Sequence, residues 1–315
     1  MSQQSGSRGL LWAANRALGL VVSGLVATPQ SKWRSGPLVS VVIATYNRPA
    51  NLVLAIESVL RQHYRDFEVL VVGDGCTDDT EDVVRSIPDP RVNWISLESN
   101  SGSQSLPNNL GLANANGKYV AYLGHDDIWL PNHLSVLIKA MELRNLEVAT
   151  TRCFLLGPPE SGVFLASRPN LIRDEIIYGP PSALCHVREI IQRSGPWIDY
   201  HDLPPHYAPD SEFIDRISAV ALKKESLRPF TVIKLNAAWR KNSYVTQDTS
   251  EQKMYLNRSK KPRRLIFTLI YQTLVSNTLK RSKTDLPTSN AQILPGEHVV
   301  DTWRRIKGLG KINRE

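Results

Sequence analysis

The feature that most constrains the fold is an alternation, between residues 39 and 141, of apolar runs with segments of helical periodicity. Four runs, at 39–44, 67–72, 92–97 and 118–123, are rich in β-branched residues and predict buried strands. Leu52, Ile56 and Val59 recur at the spacing of one helix face after the first run. This alternation predicts an α/β fold with a mostly parallel central sheet and helices on both faces.

Three of the predicted strands end in polar residues. The polar stretches are 45–48, 74–79 and 126–127. In open parallel sheets, ligands bind outside the carboxyl ends of the strands. The fold rule therefore predicts that these three stretches meet at one ligand site.

Several acidic residues have both a chemical and a conformational interpretation. Asp126 and Asp127 suit Mg²⁺ or Mn²⁺ shared with phosphate oxygens, or they form an acidic pair ahead of a helix. Asp74 either accepts a hydrogen bond from a ligand or serves a turn beside glycine. Asp210 either deprotonates an acceptor hydroxyl or interacts with a helix dipole.

Charge is distributed unevenly along the chain, which has a formal net charge of +8. Residues 251–315 hold 14 Lys/Arg and 5 Asp/Glu, and residues 1–36 hold basic residues without any acid. The middle of the chain is net acidic, whereas a nucleic-acid reader usually carries its basic surface on the folded core. We therefore expect no nucleic-acid partner, and expect the basic flanks to contact an anionic surface such as a membrane.

Two apolar segments bear on membrane contact. Residues 10–27 show helical spacing interrupted by polar residues, and residues 265–279 are apolar between basic pairs. Both are too short or too polar to span a bilayer and suit interfacial helices; a signal peptide is the alternative for 10–27. Because the three cysteines are few and far apart, we expect a reducing, cytoplasmic location, peripheral on the cytoplasmic face of the membrane.

Four motifs in order give the chain a family resemblance. They are VSVVIATYNR (39–48), GDGCTDDT (73–80), NNLGLANANGKYV (108–120) and LGHDDIWLP (123–131). Together they resemble family 2 glycosyltransferases with the GT-A fold, over about residues 37–245. The resemblance implies a nucleotide-diphosphate sugar donor, UDP- or dTDP-type favoured, a divalent metal, Mn²⁺ or Mg²⁺, and inversion in a single displacement. It also implies a glycan or lipid-linked acceptor and a role in polysaccharide biosynthesis.

The resemblance assigns roles to individual residues. Those expected to bind the donor are Thr45, Tyr46, Arg48, Asp74, Asn109 and Asp126. Asp126 and Asp127 take the place of the family's metal motif, and Asp210 resembles its catalytic base. Residues 179–184 resemble the segment that shapes the acceptor side.

Some positions depart from the family pattern. Gly73 and Gly124 stand where acids are frequent, and Asn108 stands where an arginine is common. Members of the family often have a histidine late in the sequence that assists the diphosphate. None is seen near 240–242, where Arg240 or Lys241 offers a substitute cation. Gly73, Gly124 and Asn108 motivate an alternative, a nucleotide-sugar-binding scaffold without catalysis that docks partners through its basic tail. A nucleotidyltransferase ranks last, because no Gly-rich, basic phosphate loop follows the first strand.

The patterns divide the chain into four parts. Residues 1–36 form a basic, apolar segment, and residues 37–135 form the nucleotide-sugar-binding half. Residues 136–250 form the half that carries the acceptor site and the catalytic base. Residues 251–315 form a basic, partly helical extension with an amphipathic helix.

Overall fold

A computed structural model describes residues 38–157, 163–165, 179–235, 240–279, 294 and 296–312. The interfacial helix expected at 10–27 lies outside the described residues.

The first part of the chain alternates strands and helices, as its apolar pattern predicts. In chain order the elements are β1 (Val39–Thr45), α1 (Pro49–Leu60), β2 (Phe67–Asp74), α2 (Thr80–Arg85), β3 (Val92–Leu97), α3 (Ser105–Ala113), β4 (Tyr119–Tyr122), β5 (Ile128–Trp129) and α4 (His133–Arg144). Helix α3 begins three residues before the predicted start, with Pro107 in its first turn. Proline is tolerated there because the first N–H groups of a helix have no intrahelical acceptor.

The second part is less regular. Its elements are β6 (Val148–Leu156), β7 (Val163–Leu165), β8 (Leu184–Val187), α5 (Ile191–Ser194), α6 (Pro209–Val220), β9 (Lys224–Leu235), α7 (Ser243–Thr246), α8 (Ser250–Arg258), α9 (Pro262–Leu279) and α10 (Val299–Lys307). The sequence analysis did not identify β9, because Lys224, Arg228 and Lys234 interrupt its apolar residues.

The strands form one sheet in the order β3-β2-β1-β4-β8-β6-β9-β5, with β7 paired to β6. The pairs among β1, β2, β3 and β4 are parallel, as is β6 with β9. Strand β8 runs antiparallel to both neighbours and joins these two parallel groups. The predicted α/β fold is confirmed. Every antiparallel pair involves a strand of the second part, including the pair of β9 with the short β5 of the first part.

Apolar packing covers both faces of the sheet. One face buries α1 and α4 residues such as Leu52, Ile56 and Leu137 against β1 and β2. The other face packs α3 and α6, with Trp197 stacked on Phe213 at 4.1 Å between ring centroids. Each such side chain stabilises the fold by about 1.5–3 kcal/mol on burial, so the strand ends are held on a rigid frame.

The basic C-terminal residues fold back onto this frame. Apolar residues of α8 and α9, including Tyr255, Leu265 and Leu269, pack with Phe154 and Ile233 of β6 and β9. Helix α10 returns to the carboxyl ends of the first strands. Cys76, Cys153 and Cys185 form no disulfide. Within the described ranges, no helix has both the length and the apolar character that crossing a bilayer requires.

Candidate active site

A cavity of about 690 Å³ opens at the carboxyl ends of β1, β2 and β4, where the fold rule places a ligand. Side chains from both parts of the chain line it. They include Thr45, Tyr46, Asp74, His125 and Asp126 from the first part and Ser182, Asp210, Lys234, Tyr244, Trp303, Arg304 and Lys307 from the second. Strand ends that are distant in sequence therefore meet at one cleft.

Two loops form the wall at β1 and β2, and they are tied to each other. Asn47 adopts a left-handed backbone conformation (φ 44°), and its side-chain amide exchanges hydrogen bonds with the backbone N–H and hydroxyl of Thr77 at 2.8 and 2.9 Å. Gly75 has φ +66°, and a Cβ there would lie 2.3 Å from the Ser99 carbonyl carbon. Glycine is therefore required for the β2 loop to pass this close to its neighbour.

Asp74 lies at the end of β2 with only 5% of its surface exposed. Its carboxylate accepts hydrogen bonds from the Ser101 N–H at 2.8 Å and from the Asn100 side-chain amide at 3.0 Å. Burial raises the pKa of this carboxyl, and the hydrogen bonds from Ser101 oppose that shift. The side chain is thus fixed in orientation at the cavity wall.

Thr45 presents a polar atom that lacks a partner. The residue is 2% exposed, and its hydroxyl makes no hydrogen bond with any described residue. A buried hydroxyl without a partner costs free energy, which a ligand that bonds to it recovers. Thr45 lines the cavity with its hydroxyl oxygen just beneath the surface, which makes this hydroxyl a candidate contact for a ligand.

Asp127 is fully buried, and both of its carboxylate oxygens accept hydrogen bonds from protein donors. Its carboxylate accepts from the Ser182 hydroxyl, from the Lys234 ammonium at 3.1 Å and from the Leu235 N–H at 3.1 Å. The side chain therefore links the loop after β4 to β9 and to the segment before β8. The expected role of Asp127 as a metal ligand is not supported, because its oxygens are already engaged and it does not line the cavity.

Asp126, by contrast, lines the cavity. Burial opposes ionisation of its carboxyl, but His125, Lys234 and Arg48 hold its pKa below the ordinary value. A guanidinium nitrogen of Arg48 lies 3.9 Å from a carboxylate oxygen of Asp126. The same guanidinium group faces the Tyr244 ring, 5.1 Å from its centroid. Arg48 is 4% exposed and does not line the cavity, so it acts on the site through Asp126 and Tyr244.

A divalent cation fits this strand end through one carboxylate. In the part of the chain that the structure describes, no three His, Cys, Asp or Glu side chains converge as a metal cage. Mg²⁺ is often held by only one or two carboxylates together with substrate phosphates. Asp126 suits that arrangement, whereas Gly124 contributes no side chain, and a Cβ there would lie 2.9 Å from an Asp127 oxygen.

Asp210 lies across the cleft, at the second residue of α6. Among the described residues, its carboxylate accepts hydrogen bonds only from N–H groups at the start of this helix, with Ser211 at 2.9 Å. Burial raises its pKa, and Lys234 opposes the shift. A carboxylate with a raised pKa and few partners has the properties of a general base.

Two residues singled out from the sequence lie away from the cavity. Asn109 bonds both to the N–H and to the carbonyl of Trp197 at 2.8 Å, which fixes α3 to the segment before α6. Arg240 bonds to the carbonyls of Leu156 and Gly157 and to Glu251. These side chains hold the structure together, and the structure does not bring them to the site.

The sequence analysis missed the basic and aromatic residues that complete the cavity: Lys234, Tyr244, Trp303, Arg304 and Lys307. Tyr244 contacts His125 edge-on, with 5.9 Å between ring centroids. These residues lie in polar, basic stretches whose sequence carries no motif. Their positions follow from tertiary contacts, so local patterns contained no signal for them.

Comparisons with known proteins agree with this architecture. The model of the family "Glycosyl transferase family 2" matches residues 40–177. WfaP of Escherichia coli, a UDP-Glc:alpha-D-GlcNAc-diphosphoundecaprenol beta-1,3-glucosyltransferase, is 31% identical over 175 residues, which are 52% of this chain and 67% of WfaP. An uncharacterized glycosyltransferase of Rickettsia bellii is 39% identical over 108 residues, 34% of this chain and 15% of that protein. The succinoglycan biosynthesis protein ExoO of Rhizobium meliloti is 38% identical over 113 residues, 36% of this chain and 32% of ExoO.

Solved structures show the same fold. TarS of S. aureus, residues 1–349, superposes with a TM-score of 0.53 at 20% identity, over 79% of this chain and 75% of that one. The mannosyltransferase PcManGT of Pyrobaculum calidifontis, in complex with GDP-Man and Mn²⁺, gives 0.50 at 17% identity, over 88% and 87%. At these identities, the similarity establishes the fold alone.

Proposed function

The chain belongs to glycosyltransferase family 2 and has the GT-A fold, and from that premise we propose that it transfers a sugar from a nucleotide-diphosphate sugar to a hydroxyl of a glycan or lipid-linked acceptor. The observation that carries the proposal is the cleft in which Thr45, Asp74 and Asp126 face Asp210. This cleft brings donor-binding groups and a candidate base to one site.

The donor would bind along the strand ends of the first part. Thr45 offers an unpartnered hydroxyl, and Asp74 offers an oriented carboxylate suited to the imide N–H of uracil or thymine. Tyr46 lines the same wall. UDP- and dTDP-sugars are therefore the favoured donors.

Sugar transfer requires positive charge near the leaving diphosphate and a basic carboxylate near the attacking hydroxyl, on the opposite face of the sugar. The leaving nucleoside diphosphate gains negative charge as the sugar–phosphate bond breaks, and cations stabilise that charge. On the other face, Asp210 would take the proton of the attacking hydroxyl. Attack opposite to the leaving group inverts the anomeric centre in a single displacement.

A divalent metal, Mn²⁺ or Mg²⁺, would be held by Asp126 together with donor phosphates. When bound, it would supply charge neutralisation for the diphosphate. Asp127 would contribute by fixing the loop that carries Asp126, through its bonds to Ser182 and Lys234.

The acceptor is proposed from two lines of support. The similar protein WfaP is described as a glucosyltransferase that acts on alpha-D-GlcNAc-diphosphoundecaprenol, a lipid-linked acceptor. In this chain, α9 presents an outer face with Phe267 and Tyr271 exposed by 58% and 61%, beside Arg263 and Arg264. Leu265, Ile266, Leu269 and Ile270, which were expected to lie in an interface, are buried against the sheet instead. Over residues 263–271, the aromatic and basic side chains therefore form the outer face.

We assign this α9 face to an anionic membrane surface, where a lipid-linked acceptor would lie. Exposed aromatic rings insert at the headgroup level, and each nearby Lys or Arg adds about 1 kcal/mol on anionic lipid. Co-sedimentation with phosphatidylglycerol vesicles tests the assignment: F267S/Y271S should reduce binding, while L222S, at another exposed apolar residue, should not. If the wild type fails to bind the vesicles at any salt concentration, the proposed contact with the membrane is wrong.

The transfer itself is tested by a calorimetric screen of UDP-, dTDP- and GDP-sugars with and without Mn²⁺ or Mg²⁺. Binding of a donor followed by release of its nucleoside diphosphate supports the proposal. Binding without turnover on any acceptor would favour the scaffold alternative, which Gly73, Gly124 and Asn108 motivate. Absence of binding to all donors would overturn the proposed function.

A further inference from the structure

Cationic side chains line the cavity together with the carboxylates of Asp74, Asp126, Asp210 and Asp215. Lys234, Arg304 and Lys307 line it, and Arg48 lies directly behind Asp126. Three of these four cations have protein acceptors. Lys234 bonds to Asp127, Arg48 to Asn51 at 3.1 Å and Arg304 to the carbonyls of Gly102 and Gly310 at 3.1 and 2.8 Å.

Lys307 differs from these three. Across the described ranges, its ammonium group makes no hydrogen bond or ion pair; it lies 6.0 Å from the Tyr244 ring centroid. Burial lowers its pKa, as do Lys234 and Arg48, and only Asp126 opposes that shift among the groups that act on it most. An ammonium group without a partner, placed among other cations at a cavity wall, is suited to an anionic ligand.

The position of Lys307 is fixed by the fold. Helix α10 is tied to the body by backbone hydrogen bonds from the Val299 N–H to the Pro205 carbonyl and from the Asn242 N–H to the Ile306 carbonyl, both at 2.7 Å. Arg304 anchors the helix to Gly102, one turn before Lys307. Gly308 ends the helix in a left-handed conformation, with φ +86°. The ammonium group is therefore presented by a docked helix.

Other basic residues of this segment point elsewhere. Arg305 pairs with Glu297 through two nitrogens at 2.9 and 3.1 Å. Lys311 lies 3.7 Å from Asp301, its side chain is 63% exposed, and it does not line the cavity. Within residues 296–312, Arg305 and Lys311 are thus paired at the surface, and Arg304 is held by carbonyls at the cavity. Lys307 presents its ammonium at the same cavity without a partner among the described residues.

We propose that Lys307 binds the diphosphate of the sugar donor and stabilises the nucleoside diphosphate as it leaves. This inference rests on the proposed function and assigns to α10 a catalytic residue that the sequence motifs do not contain. Lys307 would occupy the functional place of the missing late histidine, for which Arg240 and Lys241 were the candidates. Arg240 is engaged by carbonyls and Glu251, and Lys241 does not line the cavity.

The test compares K307M, K307Q and K307R with K311M in the full chain. Titration calorimetry measures UDP, dTDP and GDP against uridine, thymidine and guanosine, and donor turnover is measured in parallel. In K307M and K307Q, we expect affinity for the preferred nucleoside diphosphate to fall about tenfold or more, with affinity for its nucleoside unchanged. Turnover should fall about a hundredfold, K307R should recover part of both losses, and K311M should match the wild type.

The outcomes separate the inference from the function on which it rests. If the wild type binds no nucleoside diphosphate, both the proposed function and the inference fail. If the wild type binds one and K307M and K307Q bind it equally well, only the role of Lys307 is overturned. Equal losses for nucleoside and nucleoside diphosphate would also overturn it, because they would indicate a disturbed pocket rather than a lost phosphate contact.

Discussion

The two parts of the chain build one cavity by different means. In the first part, Thr45, Asp74 and Asp126 lie at or just after the ends of parallel strands. The position of each residue is therefore set by the strand that precedes it. In the second part, Lys234, Tyr244 and Lys307 reach the cavity from a long strand, a one-turn helix and a C-terminal helix. The first arrangement is a property of the fold, and the second depends on how distant segments dock.

The most demanding test of this comparison concerns Asp210, the residue of the second part that the sequence analysis expected to act as the catalytic base. D210N should lower transfer about a thousandfold, because removal of a general base costs 10²–10⁴ in rate. Donor binding should be nearly unchanged, since the proposed donor contacts are Thr45, Asp74, Asp126 and Lys307 and do not include Asp210. D202N, at an exposed carboxylate that does not line the cavity, should retain most activity. Wild-type turnover in D210N would contradict the assignment.

The next prediction concerns the ion pair that joins the two parts. K234M should destabilise the fold by about 3 kcal/mol, because it leaves the fully buried Asp127 without its cation. Burial already raises the pKa of Asp127 to about 6, and loss of Lys234 removes a contribution that lowers it. The folded state then binds a proton more tightly than the unfolded state, so the destabilisation should be largest at neutral pH and shrink as pH falls.

Urea denaturation at pH 7 and pH 5 measures this effect, with D127N/K234M as the matched variant. The double variant should be more stable than K234M at pH 7 and should show little pH dependence between the two values. Equal destabilisation of K234M at both pH values would indicate that the pair does not link the loop to β9 in the way described.

The pH profile of transfer gives a further test of the second part. Burial raises the pKa of Asp210, and a base acts only when deprotonated. The acid limb of kcat/KM should therefore lie above the ordinary pKa of aspartate and fall about tenfold per pH unit below it. Steady-state rates across pH 4–8 measure it. An acid limb at or below the ordinary aspartate value would argue against Asp210 as the base.

The smallest expected effect concerns the first part. T45V replaces an unpartnered buried hydroxyl by a methyl group of similar shape, so the free energy of unfolding should stay equal or rise. Nucleotide affinity should fall about fivefold, the value of one neutral hydrogen bond near 1 kcal/mol. Calorimetry and thermal melting of the same samples measure both. Unchanged affinity would show that the Thr45 hydroxyl does not contact the nucleotide.

The same contrast explains what the sequence allowed us to predict. Periodicity located β1 to β4 within a few residues, and the rule for parallel sheets placed Thr45, Asp74 and Asp126 at one edge. It could not separate Asp126 from Asp127, because adjacent carboxylates look alike until Lys234 and Ser182 are seen on one of them. Lys307 has no local pattern at all, since its place depends on two backbone hydrogen bonds of α10: its Val299 N–H donates to the Pro205 carbonyl, and its Ile306 carbonyl accepts from the Asn242 N–H.

The crowding around Gly124 restricts the mutational paths open to this enzyme. An acid introduced at that position would meet the Asp127 carboxylate at its first side-chain carbon, so G124D alone should disturb the loop before it adds any new ligand. The bonds from Lys234 and Ser182 that hold Asp127 in place would have to loosen first. Acquiring a third acid in the loop would therefore require an ordered series of changes, which begins outside the loop.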